Sequence, residues 1–301
     1  MYFGGVSALS SRFATLRRGI GHAVRPYPVA GLPTGCRLDL PGRGQTFITD
    51  SGKADGPVVF LLHSVSTTGL LCWYPVIPLL ERDFRVITMD HRLHGRGITS
   101  DTFTLDECAD DVVAVADALG IDSFIAAGFS MGGGIAQLAW QRHADRVSGL
   151  VLCSTGPYFS SIEPDRLLLE QRIARALTVV DKVLPSPSDR VLDNSSSHPV
   201  KWGLAQMAST PLGLQGVFAE AMANFDSRDW LGDITAPTAV VVSTHDKIVQ
   251  PERQQLLVDG IPGAERFDVA GGHACCVVGA EKFIPEFTAA VRSVSRTALA
   301  I

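Results

Sequence analysis

The chain has 301 residues, of which 46% are hydrophobic and 19% charged, enough apolar surface to bury one large domain or one domain with an insert. A formal net charge of -5 excludes the broad positive field that a nucleic-acid partner would need, and no apolar run approaches the roughly 20 residues that span a bilayer. Six cysteines, Cys36, Cys72, Cys108, Cys153, Cys275 and Cys276, form no CxxC pair and read as thiols of a reducing, cytoplasmic setting, with no metal site and no disulfide framework.

Residues 1–30 place an apolar stretch before their arginines, the reverse of a secretory signal, and read as a leader or extension outside the fold. Two strands follow in "GCRLDLPGRGQTFITDSG", with a turn at "LPGRG". "VVFLLHS" is continuously apolar, as expected of a strand covered on both faces of a parallel sheet. Next come a proline-interrupted helical stretch, "WYPVIPLLERDF", and a strand, "RVITMDHR". Thr104 and Glu107 have the spacing of a capping box, opening a helix with Leu105, Cys108, Val112, Val115 and Leu119 on one face; Gly120 ends it. Then come the strand "SFIAAGFS", a helix from Met131 and the strand "VSGLVLCST". This alternation predicts a parallel sheet with helices on both faces.

Over residues 157–237 the rhythm breaks. Leu169, Ile173, Leu177, Val180 and Leu184 recur at helical intervals, and "LGLQGVFAEAMANF" suggests a second helix, so this stretch reads as an inserted helical cap. Strands resume in "TAVVVSTHD" and "AERFDVAGGH", and "KFIPEFTAAV" closes the chain as a helix. The core is expected to comprise residues 31–156 and 238–301.

At the strand-to-helix corner, "GFSMGG" sets Ser130 between Gly128 and Gly132. Such a corner requires small neighbours because the backbone there comes too close to the preceding strand for side chains. The stretch lacks the lysine of a P-loop and does not match GxGxxG. A serine hydroxyl is a weak nucleophile, so it requires a base and a group to orient the base. His273 after the last strand is the candidate base and Asp246 at the end of the strand before it the candidate acid. His245 competes with His273, and Asp90 with Asp246; Asp90, His91 and Arg92 are otherwise expected to support loops. The N–H groups of Met131 and Val65 are the candidate oxyanion donors.

This set resembles the α/β-hydrolase superfamily, and in particular its cap-bearing, esterase-like serine hydrolases, over about Cys36 to Val291. The resemblance implies a mostly parallel eight-stranded sheet with the helical cap inserted. Three places depart from the family pattern: Ser64 follows His63 where glycine is usual, Leu93 stands at the usual glycine of "DHRLHGRG", and Ser243-Thr244-His245 precedes Asp246 where the turn usually has a glycine. The implied chemistry is hydrolysis of a small, uncharged or partly apolar acyl substrate, a carboxylic ester first, through an acyl-serine and without cofactor or metal. Thioesterase, lactonase, amidase, carbon–carbon hydrolase and cofactor-free haloperoxidase activities share the frame, and a non-catalytic binding protein is the alternative of a different kind. Ser64, Trp73, Tyr74, Phe129, Trp202, Met207, Phe218, Met222 and Trp230 are candidate pocket residues. A homo-oligomer stays open.

Overall fold

The computed structural model describes residues 27, 29, 31–52, 56–159, 187–193 and 199–300. Of the expected leader only Tyr27 and Val29 are described, and both pack on the core, with Val29 buried; the Leu169–Leu184 stripe lies outside the described residues.

Eight strands form one sheet: β1 (Gly35–Leu40), β2 (Gly44–Asp50), β3 (Val58–Leu62), β4 (Arg85–Met89), β5 (Phe124–Phe129), β6 (Val147–Cys153), β7 (Thr238–Ser243) and β8 (Glu265–Val269). Their order across the sheet is β1-β2-β4-β3-β5-β6-β7-β8. The β1–β2 and β2–β4 pairs are antiparallel, and every pair from β4 to β8 is parallel. The "LPGRG" turn falls between β1 and β2, where the sequence puts it.

Central strands are apolar at consecutive positions because each face has its own core. Val59, Leu61, Ile125, Ala127, Val151 and Val241 face one cluster, while Phe60, Leu62, Ala126, Leu150, Leu152 and Val240 face the other. The first is covered by α1 (Gly69–Trp73), α2 (Ile77–Leu80) and the long C-terminal helix α9 (Ala280–Ala298), the second by α3 (Leu105–Ala118), α4 (Met131–Arg142) and α8 (Pro251–Gly260). In α3 the Thr104 side chain accepts from the Glu107 N–H at 3.1 Å, and Gly120, at φ +64, ends the helix in the left-handed region. Arg92, buried after β4, pairs with the fully buried Asp111 of α3 at 2.7 Å, anchoring the loop that the sequence assigned to support.

Between β6 and β7 the described chain is helical, with α5 (Asp189–Asp193), α6 (Pro199–Ala208) and α7 (Gln215–Ala223). This is the inserted cap. It meets the core at the loop after β4, where Thr210 Oγ1 accepts from the Gly95 N–H and Arg96 pairs with Asp193 at 2.7 Å, and at the loop after β3, where the Ser66 and Thr68 hydroxyls donate to Gln215 and Gln206. No described helix is long and apolar enough to cross a membrane.

Candidate active site

The strand order reverses at β3, which has β4 on one side and β5 on the other. In an open α/β sheet the crevice at the carboxyl ends of such strands is where ligands bind. The register pairs Leu62 with Gly128, so the loop beginning at His63 and the corner at Ser130 leave the sheet side by side.

Ser130 occupies φ +52, ψ -117, a strained backbone for a residue with a side chain. Close packing enforces it: a Cβ on Gly128 would lie 2.1 Å from the Gly132 carbonyl oxygen, and one on Gly132 would lie 2.2 Å from that of Leu62. The following α4 begins at Met131, and no described residue accepts from the Met131 or Val65 amide, as expected of donors at a helix start and in an open loop.

Register also explains how distant residues meet. Ser243 of β7 pairs with Val269 of β8, bringing Asp246 and His273, a few residues beyond each strand, to one place. Asp246 is buried; its Oδ1 accepts from the amides of Ile248 and Val249 at 2.8 and 3.0 Å. The Asp246 Oδ2 lies 2.7 Å from His273 Nδ1, and His273 Nε2 lies 2.9 Å from Ser130 Oγ. A carboxylate only accepts, so Nδ1 carries the proton and Nε2 is free to accept from the Ser130 hydroxyl. The arrangement can move a proton off a serine and hold the resulting imidazolium against a carboxylate.

The two competing residues lie apart from this chain of bonds. Asp90 accepts from the amides of Gly69 and Arg96, both at 2.9 Å, and so ties two loops together. His245 is exposed and its N–H donates to the Gly271 carbonyl. Of the departures from the family pattern, Leu93 adopts φ +59, a conformation that favours glycine; Ser64 has no positive φ.

The pocket candidates divide. Trp73 is fully buried against Phe287 and Phe129, and Phe218 is fully buried and stacked on His94 at 4.1 Å. Both are core packing and not cavity wall, because aromatic area of this size is most stable where helices close on the sheet or on each other. Phe129 is buried with its ring centroid 5.8 Å from that of His273. Tyr74, Trp202 and Met207 line a 230 Å³ groove whose lining includes neither Ser130 nor His273. Trp230 lines a separate 580 Å³ groove between α3, α4 and α7, and Met222 packs against the core cluster. Ser64 is half-buried beside Val65.

Three buried histidines form a group that sequence reading passed over. His63 and His91 ring centroids are 4.3 Å apart, and those of His63 and His94 5.3 Å. Burial holds all three below the usual imidazole range, with the neighbouring imidazoles adding to it for His63 and His91; His91 is brought to about 3 and His94 to about 4. Among the described residues no group of histidine, cysteine and carboxylate side chains has the form of a metal site. Cys275 is buried, with its Sγ 3.1 Å from Ser243 Oγ; it and Cys276 fill space beside the His273 loop, and all six cysteines are free.

Comparison with known proteins gives relatives of the same fold. Residues 57–198 match the family described as "alpha/beta hydrolase fold". Among curated relatives, "Putative carbamate hydrolase RutD" of Rhizobium rhizogenes is 29% identical, the match covering 77% of this chain and 91% of the relative. The 3-oxoadipate enol-lactonase 1 of Acinetobacter baylyi is 24% identical, covering 81% and 92%. The crystal structure of the enol-lactonase from Burkholderia xenovorans superposes with a TM-score of 0.72 at 23% identity, covering 85% of this chain and all of that one. With its eight-stranded sheet and inserted helical cap, and with residues 57–198 matching that family, the chain has the α/β-hydrolase fold.

Proposed function

We propose that this protein is a serine hydrolase that cleaves small, uncharged or partly apolar carboxylic esters or lactones. The observation that carries the reading is the continuous hydrogen-bonded chain from Ser130 Oγ through His273 to Asp246, at 2.9 and 2.7 Å. Ser130 Oγ attacks the acyl carbon while His273 Nε2 takes its proton, and Asp246 holds the ring tautomer and the charge that develops on it. The negative oxygen is received by the N–H groups of Met131 and Val65, each worth about 10²–10³ in rate. Collapse of the tetrahedral intermediate expels the leaving group, which takes the proton from His273. Water, deprotonated by the same nitrogen, then releases the acid and restores the serine.

Ester and lactone carbonyls stand first because the relatives include an enol-lactonase; carbamate and amide bonds form the next arm of a screen. The six unpaired thiols support a reducing, cytoplasmic location. The test is hydrolysis of short p-nitrophenyl esters by wild type and Ser130→Ala, with fluorophosphonate labelling followed by peptide mapping. Turnover lost in the variant and a label on Ser130 are expected. A label elsewhere, or retained small-molecule binding with no turnover in wild type, overturns the reading in favour of another nucleophile or a binding protein.

A further inference from the structure

The loop after β3 is held from two sides. On the core side, His63 Nδ1–H donates to the Ser64 carbonyl at 2.7 Å, and the Thr67 hydroxyl donates to the same oxygen at 2.8 Å. His63 is fully buried, and its Nε2 accepts from the His91 N–H at 2.9 Å, which places the ring proton on Nδ1. A trans peptide points its C=O and N–H to opposite sides. Pinning the Ser64 carbonyl toward His63 and Thr67 therefore turns the Val65 N–H to the other side of the loop.

The other side is held by the cap. Ser66 sits at φ +57, a backbone that a residue with a side chain keeps only when its surroundings over-determine it. Its hydroxyl donates to Gln215 Oε1 of α7 at 2.9 Å, and two residues on the Thr68 hydroxyl donates to Gln206 Oε1 of α6 at 2.7 Å. Val65 thus lies between a carbonyl clamped by the core and a strained residue clamped by the cap. Without the bond to Gln215, the Val65–Ser66 peptide is free to turn and only the Ser64 clamp is left to orient Val65.

We propose that Gln215 is a positioning residue for acyl transfer: through Ser66 it keeps the Val65 N–H aimed at the developing oxyanion, so the cap governs the rate of the chemical step. The inference rests on the serine-hydrolase reading and deepens it. Helix α7 has an anchor of its own, since Phe218 stacks on His94 and packs edge-on to Phe103. Loss of the Gln215 amide therefore removes the bond without undocking the helix.

The experiment is steady-state hydrolysis of p-nitrophenyl butyrate by the full chain. Gln215→Leu is expected to lower kcat about tenfold to thirtyfold, part of the ~10²–10³ of a whole oxyanion donor, with KM unchanged. Gln215→Glu keeps an acceptor for the Ser66 hydroxyl and is expected to stay within about threefold of wild type. Ser66→Ala should reproduce the leucine loss, and the Ser66→Ala/Gln215→Leu double variant should lose no more than either single. Unchanged kcat in Gln215→Leu, a loss shared equally by Gln215→Glu, or additive single losses each overturn the proposal. If Gln215→Leu unfolds, Ser66→Ala decides on the same kcat criterion. A Ser130→Ala control that turns over like wild type overturns the serine reading and this one with it, whereas an inactive Ser130→Ala beside a fully active Gln215→Leu overturns this one alone.

Discussion

At the end of β5 the backbone packs so closely that a single methyl group on Gly128 or Gly132 would overlap a carbonyl oxygen, whereas the cap meets the core through separate side-chain contacts, polar ones such as Ser66–Gln215, Gly95–Thr210 and Arg96–Asp193 and the apolar seats of Phe218 and Trp202. The cap also leaves Val200, Leu204 and Met207 of α6 exposed. The contrast teaches where each kind of change can be absorbed. A corner held by backbone sterics has no neighbour that can give way, so its geometry is all or none. A cap held by many separate side-chain contacts can lose one hydrogen bond and keep its place, so its effects are graded.

The first way to break this comparison is at the corner itself. Ser130→Ala is expected to reduce kcat for a p-nitrophenyl ester by about 10⁶, with an unchanged urea midpoint. A residual rate near wild type would remove the corner from the chemistry. Asp246→Asn keeps the packing and supplies an amide where a carboxylate should accept from His273 Nδ1; it should cost about 10⁴ in kcat, read in the same assay. Gly132→Ala puts a Cβ 2.2 Å from the Leu62 carbonyl oxygen and is expected to destabilise the fold by about 4–5 kcal/mol or prevent folding, measured by denaturant unfolding. A well-folded, stable alanine variant would show that the corner is as forgiving as the cap.

Acid sharpens the comparison from the cap side, because the buried histidines lie where the two regions meet. His91 and His94 titrate near 3 and 4 in the folded chain and near 6.5 when unfolded. The unfolded state therefore binds more protons between these limits, and stability falls as pH drops below about 6.5, levelling off only below the folded values. The urea midpoint measured from pH 7 to pH 4 should follow that slope, and replacing His94 by glutamine should flatten it. The smallest effect is expected on the exposed cap face: Leu204→Ser should shift stability by no more than about 0.5 kcal/mol, again by urea unfolding.

Much of this was legible in the chain because it depends on neighbours in sequence. Short continuous apolar runs place the central strands and a helical spacing places α3, the small residues around Ser130 mark a corner where no side chain fits, and Asp246 and His273 each follow a strand that can be read directly. The pocket was less legible. Trp73, Tyr74 and Trp202 are equally large and apolar in sequence, but only the packing of helices on the sheet decides that Trp73 lies under Phe129 while the other two line a groove. His63 carried a weak signal, standing two residues before a candidate oxyanion donor. Gln206 and Gln215 carried none, since nothing in their local sequence tells a bonded glutamine from a solvated one.

What the amino-acid sequence determined by itself is the eight strands, the strained corner and the order of serine, carboxylate and imidazole along the chain, because these follow from local apolar patterning and from steric limits within a few residues. What only the tertiary structure decided is distance: the register of β7 against β8 that brings His273 to Asp246, the reversal at β3 that sets the loop from His63 beside the Ser130 corner, and the bonds by which the cap grips residues 66 and 68. Those depend on contacts between residues up to about a hundred and fifty positions apart, and such contacts form only once loop closure is repaid by the burial of both faces of the sheet.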